Sequence, residues 1–199
     1  MITEMQFEKS ASTLGVEPAV IKAVAEVESN GEGFLANGKI KILFEPHIFW
    51  KQLRQKGINP QLHQAGNEDI LYPTWKPGKY GPVSKQHNRL NRAAAINREA
   101  ALLSASWGKF QIMGFNFQRC NCESVEDFIS RLSSGEDEHL ETFICYIKNT
   151  FLDDELKAHD WKSFARAYNG PLYWKNNYDK KLQKAYEKFS SIQLIPVIS

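Results

Sequence analysis

A short helix that ends on a glutamate places the strongest constraint on how this chain folds. In the segment EPAVIKAVAEVESNG (17–31), Ile21, Val24 and Glu28 follow the i, i+3, i+7 spacing of one stripe on a 3.6-residue helix. Pro18 suits the first turn of such a helix, and the sequence Ser-Asn-Gly ends it directly after the glutamate. The carboxyl group of Glu28 is therefore predicted to point where apolar side chains point, towards the interior of the protein.

This position has a chemical consequence for Glu28. Apolar surroundings disfavour the ionised carboxylate, and the negative end of the helix dipole acts in the same direction. A carboxyl group that stays protonated near neutral pH can act as a general acid. The alternative is a glutamate at a helix end that simply bends out to water. Glu26 faces another way on the same helix.

Composition indicates one folded domain. The chain has 199 residues, of which 42% are hydrophobic, so we expect a single domain over 1–199 with its core at about 17–189. A charged fraction of 24% and the absence of low-complexity tracts argue against disorder. The formal net charge of +2 gives no basis for a nucleic-acid partner, and we expect a monomer.

The sequence predicts neither membrane insertion nor export by a signal of its own. No apolar run approaches the ~18 residues that a membrane span needs. The N-terminal segment MITEMQFEKSAST lacks the basic-then-apolar order of a secretory signal. We therefore expect synthesis in the cytoplasm, and release or delivery by another factor if the substrate lies outside.

No metal or cofactor is expected. Cys120, Cys122 and Cys145 are too few for a disulfide framework, and with His139 they could be drawn as a zinc site. However, Cys-x-Cys is not the usual zinc-knuckle spacing, and Cys145 falls within an apolar helix pattern. Gly-x-Ser-x-Gly, P-loop and His-Glu-x-x-His motifs are absent from the sequence.

A small hairpin is predicted directly after the glutamate helix. The Asn-Gly pair at 37–38 is a strong hairpin signal, and Ile42 and Phe44 continue an alternating apolar pattern beyond it. Glu45 ends the second predicted strand, and Pro46 then opens a helix.

Most of the remaining chain is predicted to be helical. Residues 58–83 form an ordered aromatic loop, Ser84 caps one long helix to about Ser104, and a glycine-broken stretch covers 104–116. Further helices are expected after Ser124, Gly135 and Asp160 and near the C-terminus, which gives a mainly α fold with a small β-hairpin.

Several separated segments together resemble a known family. Glu28-Ser29, SWGKFQIMG (106–114) and AYNGP (167–171) occur in the order found in the lysozyme-like superfamily, where such segments line one sugar-binding cleft. Within that superfamily, ILFEPHIF (42–49) and SWGKFQIMGFN (106–116) resemble the N-acetylmuramidase domain of phage endolysins. The resemblance covers roughly residues 17–189 and implies a lysozyme-like fold.

The resemblance implies a substrate and roles for four residues. The substrate is the glycan strand of peptidoglycan, cut at the β-1,4 bond between N-acetylmuramic acid and N-acetylglucosamine. Glu28 matches the catalytic acid, Gln111 matches a glutamine of the cleft floor, and Tyr168 and Asn169 match a pair that faces the acid. The segment 107–110 departs from the pattern of lytic transglycosylases, which favours the muramidase branch.

Further residues are candidates for catalysis or sugar binding. Glycoside hydrolysis commonly uses a second carboxylate, and we predict Glu45 in this role, with Glu32 as the weaker candidate. The alternative for Glu45 is a structural acceptor of hydrogen bonds. His47, Ser106 and Trp107 are candidate substrate contacts, although Ser106 is also suited to packing in its turn and Trp107 to the core.

Two other functions stay open at this stage. A lytic transglycosylase would use Glu28 as acid and then as base, and it would form 1,6-anhydro products without a second carboxylate. A non-catalytic glycan-binding module would retain the cleft alone, but binding sugar does not require a carboxyl group on an apolar helix face.

Overall fold

Helices account for most of the described chain, as predicted. The computed structural model describes residues 2–29, 31–76 and 78–193. Its α-helices are α1 (Glu4–Leu14), α2 (Pro18–Glu28), α3 (Pro46–Gln55), α4 (Gln86–Ile96), α5 (Arg98–Leu103), α6 (Val125–Ser134), α7 (Glu136–Asn149), α8 (Asp153–Lys157), α9 (Trp161–Asn169) and α10 (Tyr178–Gln193). Short 3-10 helices cover Pro60–His63, Val83–Lys85, Gly114–Cys120 and Tyr173–Asn176.

The sheet is antiparallel, and its central strand comes from the middle of the chain. It consists of β1 (Ile42–Phe44), β2 (Ala105–Trp107) and β3 (Ile112–Met113) in the order β1-β2-β3. The predicted hairpin after α2 is smaller than expected. Its two sides are joined by an isolated bridge between Phe34 and Ile40. The second predicted strand instead pairs with β2, which supplies hydrogen-bond partners for the backbone of β1, where Ile42 and Phe44 are buried.

The prediction of one long helix over 84–104 is wrong in one respect. The segment forms two helices, α4 and α5, which are separated at Asn97, whose backbone is extended with φ −156°. The Asn97 side chain accepts a hydrogen bond of 2.9 Å from the Ala100 amide and so begins α5. Ser84 lies in a short 3-10 helix before α4 rather than at its cap.

Other helix boundaries agree with the sequence signals. The α2 helix runs from Pro18 to Glu28, as predicted. The Ser124 side chain caps α6 by accepting from the Asp127 amide at 3.0 Å, and Asp160 caps α9 by accepting from Ser163 at 3.0 Å. In each case a local side-chain acceptor satisfies an amide that the helix itself leaves unpaired.

The apolar stripe of α2 lies in the core, and this determines where Glu28 is placed. Ile21 and Val24 are fully buried, and α2 packs against α1 and along α10. Glu26, on the opposite face, is exposed and pairs with Lys188. No helix in the described ranges is long and apolar enough to cross a membrane.

Candidate active site

A cavity of about 500 Å³ opens at the C-terminal end of α2. Four of the residues predicted from the sequence contribute to its wall: Glu28, Gln111, Tyr168 and Asn169. The structure therefore brings together side chains from α2, from the turn before β3 and from the end of α9. We refer to this space as the Glu28 cavity.

Glu28 lies in surroundings that favour its protonated form. The side chain is buried, with the residue 8% exposed, and this burial raises the pKa of its carboxyl group from 4.5 to about 7. Two groups act in the opposite direction: the Asn169 side chain donates a hydrogen bond of 2.8 Å to Oε1, and the Lys181 ammonium contributes positive charge. Desolvation outweighs both, so the carboxyl group is partly protonated at neutral pH.

The end of α9 faces Glu28 across the cavity. Asn169 is the last residue of the helix, where its side chain can reach the carboxyl group. Tyr168 is half-buried, and its hydroxyl group donates a hydrogen bond of 3.0 Å to the Phe110 carbonyl. This bond ties α9 to the segment that carries Gln111.

Gln111 is held in a fixed orientation by its neighbours. Its backbone is left-handed, with φ +50°. Its side-chain amide donates to the Gly108 carbonyl at 2.7 Å, and its side-chain oxygen accepts from the Ser106 hydroxyl at 2.9 Å. Gln111 therefore builds the cavity wall, and Ser106 orients it from behind without lining the cavity itself.

Trp107, for which the sequence allowed either a sugar contact or a core position, lies in the core. Its side chain is buried, with the residue 4% exposed, and its indole N–H donates to the Leu102 carbonyl at 3.1 Å. It does not line the Glu28 cavity. The indole lies instead beside residues of α4, α5 and α6, so a sugar contact at Trp107 stays a prediction that this cavity does not support.

Glu45 and His47 also lie outside the Glu28 cavity. Glu45 is the N-cap residue of α3, and burial raises the pKa of its carboxyl group, opposed by a hydrogen bond from Tyr80 and by the charge of Arg89. His47 Nδ1 is 3.4 Å from Glu45 Oε2, and burial lowers the pKa of the imidazole. Glu32, the weaker candidate, is exposed and is not part of the cavity wall.

The direction of β1 explains this separation. The strand starts beside the Gln111 turn, where the Lys41 carbonyl accepts from the Gly108 amide at 2.8 Å. At its other end, the Glu45 amide donates to the Ser104 carbonyl at 2.9 Å. An extended chain rises about 3.3 Å per residue, so Lys41 and Glu45 are roughly 13 Å apart along the strand.

Among the cavity-wall residues that were not predicted as site residues, three carry a phenol or an ammonium group. Tyr146 comes from α7, and Tyr178 and Lys181 come from α10. Their sequence signal is weak because both tyrosines continue apolar helix stripes, and a lysine on an amphipathic helix is normally a solvated residue. Only the packing of α10 on α2 brings Lys181 next to Glu28.

Comparison with known proteins identifies the family of the chain. The family model for N-acetylmuramidase matches residues 17–190. The chain belongs to the N-acetylmuramidase family. Among solved structures, this family member is similar to the crystal structure of the Burkholderia AP3 phage endolysin, with 34% sequence identity and a TM-score of 0.88. That match covers 96% of this chain and 72% of the endolysin chain. No curated protein matches it.

Family membership confirms both the resemblance and the fold class predicted from the sequence. It makes this family member a peptidoglycan hydrolase of the glycosidase type. In the described ranges, no three His, Cys, Asp or Glu side chains are grouped so that they could hold a metal ion.

Proposed function

We propose that the protein is an N-acetylmuramidase that hydrolyses the β-1,4 bond between N-acetylmuramic acid and N-acetylglucosamine, with Glu28 as general acid. The observation that carries the proposal is the buried Glu28 carboxyl group, whose pKa of about 7 leaves it a proton to donate near neutral pH. Its place in the wall of an open cavity makes that proton accessible to a bound glycan.

The reaction begins with proton transfer to the leaving oxygen. Cleavage of a glycosidic bond requires a proton on this oxygen and stabilisation of positive charge at the anomeric carbon. Protonated Glu28 supplies the proton and becomes a carboxylate. The Asn169 amide, 2.8 Å from Oε1, and the Lys181 ammonium both favour that charged form, so they stabilise the acid after it has given up its proton.

Aromatic side chains on the cavity wall fit a sugar ligand. Tyr146, Tyr168 and Tyr178 combine an apolar ring with a polar hydroxyl group, and all three are only partly buried. Such rings pack against the apolar faces of sugar rings, while hydroxyl and amide groups pair with sugar hydroxyls. The cavity wall therefore suits a glycan chain.

Glu28 is the only carboxylate among the described residues of the cavity wall. Glu45 therefore receives a structural role in this proposal, in place of the second catalytic role predicted from the sequence. The same observation favours one alternative, a lytic transglycosylase in which Glu28 acts first as acid and then as base, and the muramoyl 6-hydroxyl replaces water.

Product analysis tests the proposal. Purified sacculi would be digested with the wild-type protein and with Glu28→Gln, and the soluble products would be analysed by mass spectrometry before and after borohydride reduction. Hydrolysis places a water oxygen on the new end, so we expect reducible N-acetylmuramic acid from the wild type and very little product from the variant.

Each other product identifies a different reaction. Predominantly 1,6-anhydro ends would overturn hydrolysis in favour of transglycosylation, while the role of Glu28 would stand. Reducible N-acetylglucosamine ends would show that a different bond is cut. Glycan binding without any product from the wild type would leave only the non-catalytic module.

A further inference from the structure

A polar cluster at the start of α7 lies just behind the Glu28 cavity. The Glu136 carboxylate accepts a hydrogen bond of 2.9 Å from the Gly33 amide and lies 3.4 Å from the Lys109 ammonium. The same ammonium donates to the Gly31 carbonyl at 3.2 Å. Both ion-pair partners are largely buried, with 16% of each side chain exposed. The cluster therefore joins α7 to the loop after Glu28 and to the turn before Gln111.

His139, one turn further along α7, belongs to the same cluster, and its contacts define the protonation state of its ring. The ring is buried, with the residue 1% exposed. Its Nδ1 accepts from the Lys109 backbone N–H at 3.0 Å, and its Nε2 lies 2.7 Å from the Leu132 carbonyl. An amide can only donate and a carbonyl can only accept, so the proton is on Nε2. Burial lowers the pKa of the imidazole and keeps it neutral.

Both segments approach His139 closely, and at Gly33 the approach requires a glycine. A Cβ atom at Gly33 would lie 2.2 Å from His139 Nδ1, and one at Gly108 would lie 3.0 Å from the ring. Gly33 does not have a left-handed backbone, so the contact with His139 is what requires a glycine there. The Phe34 ring stacks on the imidazole with a centroid distance of 5.0 Å.

We propose that Lys109, Glu136 and His139 form a clamp that sets the distance between the two walls of the Glu28 cavity, with His139 as a positioning residue for glycan cleavage. This α7 clamp holds the loop that begins directly after Glu28, through Gly31 and Gly33. It also holds the 108–111 turn, through the Lys109 amide. The inference rests on the proposed function.

The neighbouring contacts show how a change at His139 would reach the cavity. Phe110 and Gln111 follow Lys109 directly and line the Glu28 cavity. On the far side of this turn, the Phe110 carbonyl accepts from Tyr168, whose neighbour Asn169 donates to Glu28. A shift of the Lys109 amide would therefore move the wall that carries Gln111 and the group that orients the acid.

A matched pair of substitutions separates positioning from stability. In His139→Asn, the side-chain oxygen takes the place of Nδ1 and still accepts from Lys109, while the bond to Leu132 is lost. In His139→Gln, the side-chain nitrogen takes the place of Nε2 and still donates to Leu132, while the bond to Lys109 is lost. Each variant leaves one buried backbone group unpaired, so we expect similar decreases in Tm.

The rates of the two variants should nevertheless differ. Below both melting temperatures, we expect His139→Asn to stay close to the wild-type kcat on soluble peptidoglycan fragments. Small displacements of a reacting group are costly, so His139→Gln should lower kcat by roughly 10- to 100-fold. Glu138→Gln is the control on the same helix, because Glu138 pairs with Arg131 at 3.4 Å and does not contact the clamp. It should leave kcat unchanged.

Two measurements without turnover distinguish failure of the clamp from failure of the proposed function. Hydrogen exchange at the Lys109 amide should be fast only in His139→Gln, and the side-chain amide resonances of Asn169 should shift only in that variant. Equal losses of kcat in both His139 variants, or an exposed Lys109 amide with unshifted Asn169 resonances, would overturn the clamp. A wild-type protein that cuts no glycan would refute the proposed function. The hydrogen-exchange and resonance measurements would still show whether the clamp exists.

Discussion

The side-chain amide of Asn169 donates a hydrogen bond of 2.8 Å to Oε1 of Glu28, and this bond joins the ends of two helices, α9 and α2. Because an N–H donor stabilises a carboxylate more than a carboxyl group, the bond lowers the pKa of Glu28, while burial raises it. The balance at about 7 gives an acid that can both release and regain a proton near neutral pH.

We expect Glu28→Gln to abolish most turnover while preserving the fold and glycan binding. The amide keeps the shape of the side chain and can still accept from Asn169, but it has no proton to deliver. Loss of a general acid typically costs ~10²–10⁴-fold in rate. Glu26→Gln is the matched control, because Glu26 lies two residues away on the exposed face of α2. Near wild-type lysis by Glu28→Gln would remove it from the mechanism.

The same substitution should stabilise the protein at alkaline pH. A carboxyl group whose pKa is 4.5 in the unfolded chain and about 7 in the fold favours folding below pH 4.5, and that contribution is lost as the pH rises to about 7. The difference of about 2.5 pKa units corresponds to at most about 3 kcal/mol. Denaturant unfolding should therefore show Glu28→Gln to be more stable than wild type at pH 8 and equal to it at pH 4. A constant difference across this range would contradict a raised pKa.

Local sequence signals predicted those parts of the fold that depend on local interactions. The bounds of α2 and the caps of α6 and α9 follow from residues within a few positions of each helix end. The pairing of β1 with β2 joins segments more than sixty residues apart. No hairpin signal indicates such a pairing, which is decided by where a buried strand finds hydrogen-bond partners.

In the candidate site, too, some residues could be predicted from the sequence, whereas others depend on tertiary packing. Glu28 could be found from helix periodicity, and Gln111, Tyr168 and Asn169 from family resemblance. Lys181 could not, because an exposed lysine on α10 becomes significant only when that helix packs against α2. Glu45 shows the converse: its family-like segment drew attention to it, but β1 carries it away from the cavity.

We expect Lys181→Met to extend activity to higher pH. The ammonium group favours the ionised form of Glu28, so its removal should raise the pKa of the acid above about 7. A general acid with a higher pKa stays protonated to higher pH, and the alkaline limb of the kcat profile should shift in that direction. Lys180→Met is the control, since Lys180 does not line the Glu28 cavity.

Salt provides a second measurement for Lys181. Ionic screening weakens the interaction of an exposed charge. Added salt should therefore shift the alkaline limb of the wild-type kcat profile to higher pH and leave that of Lys181→Met in place. A shift of this limb to lower pH in Lys181→Met, or equal shifts in both lysine variants, would show that Lys181 does not lower the pKa of Glu28.

Glu45→Gln decides between the two roles considered for Glu45. The residue lies outside the Glu28 cavity, in contact with His47 and with a hydrogen bond from Tyr80, so we expect a structural effect. Glutamine has one acceptor oxygen in place of two, so it cannot serve both Tyr80 and His47 as an acceptor. Loss of about one hydrogen bond costs about 1 kcal/mol, which lowers Tm by ~2–4 °C in a protein of this size. The rate per folded molecule, measured well below Tm on soluble fragments, should be unchanged. A strong loss of kcat at unchanged Tm would instead support the catalytic role predicted from the sequence, because loss of a structural acceptor lowers Tm.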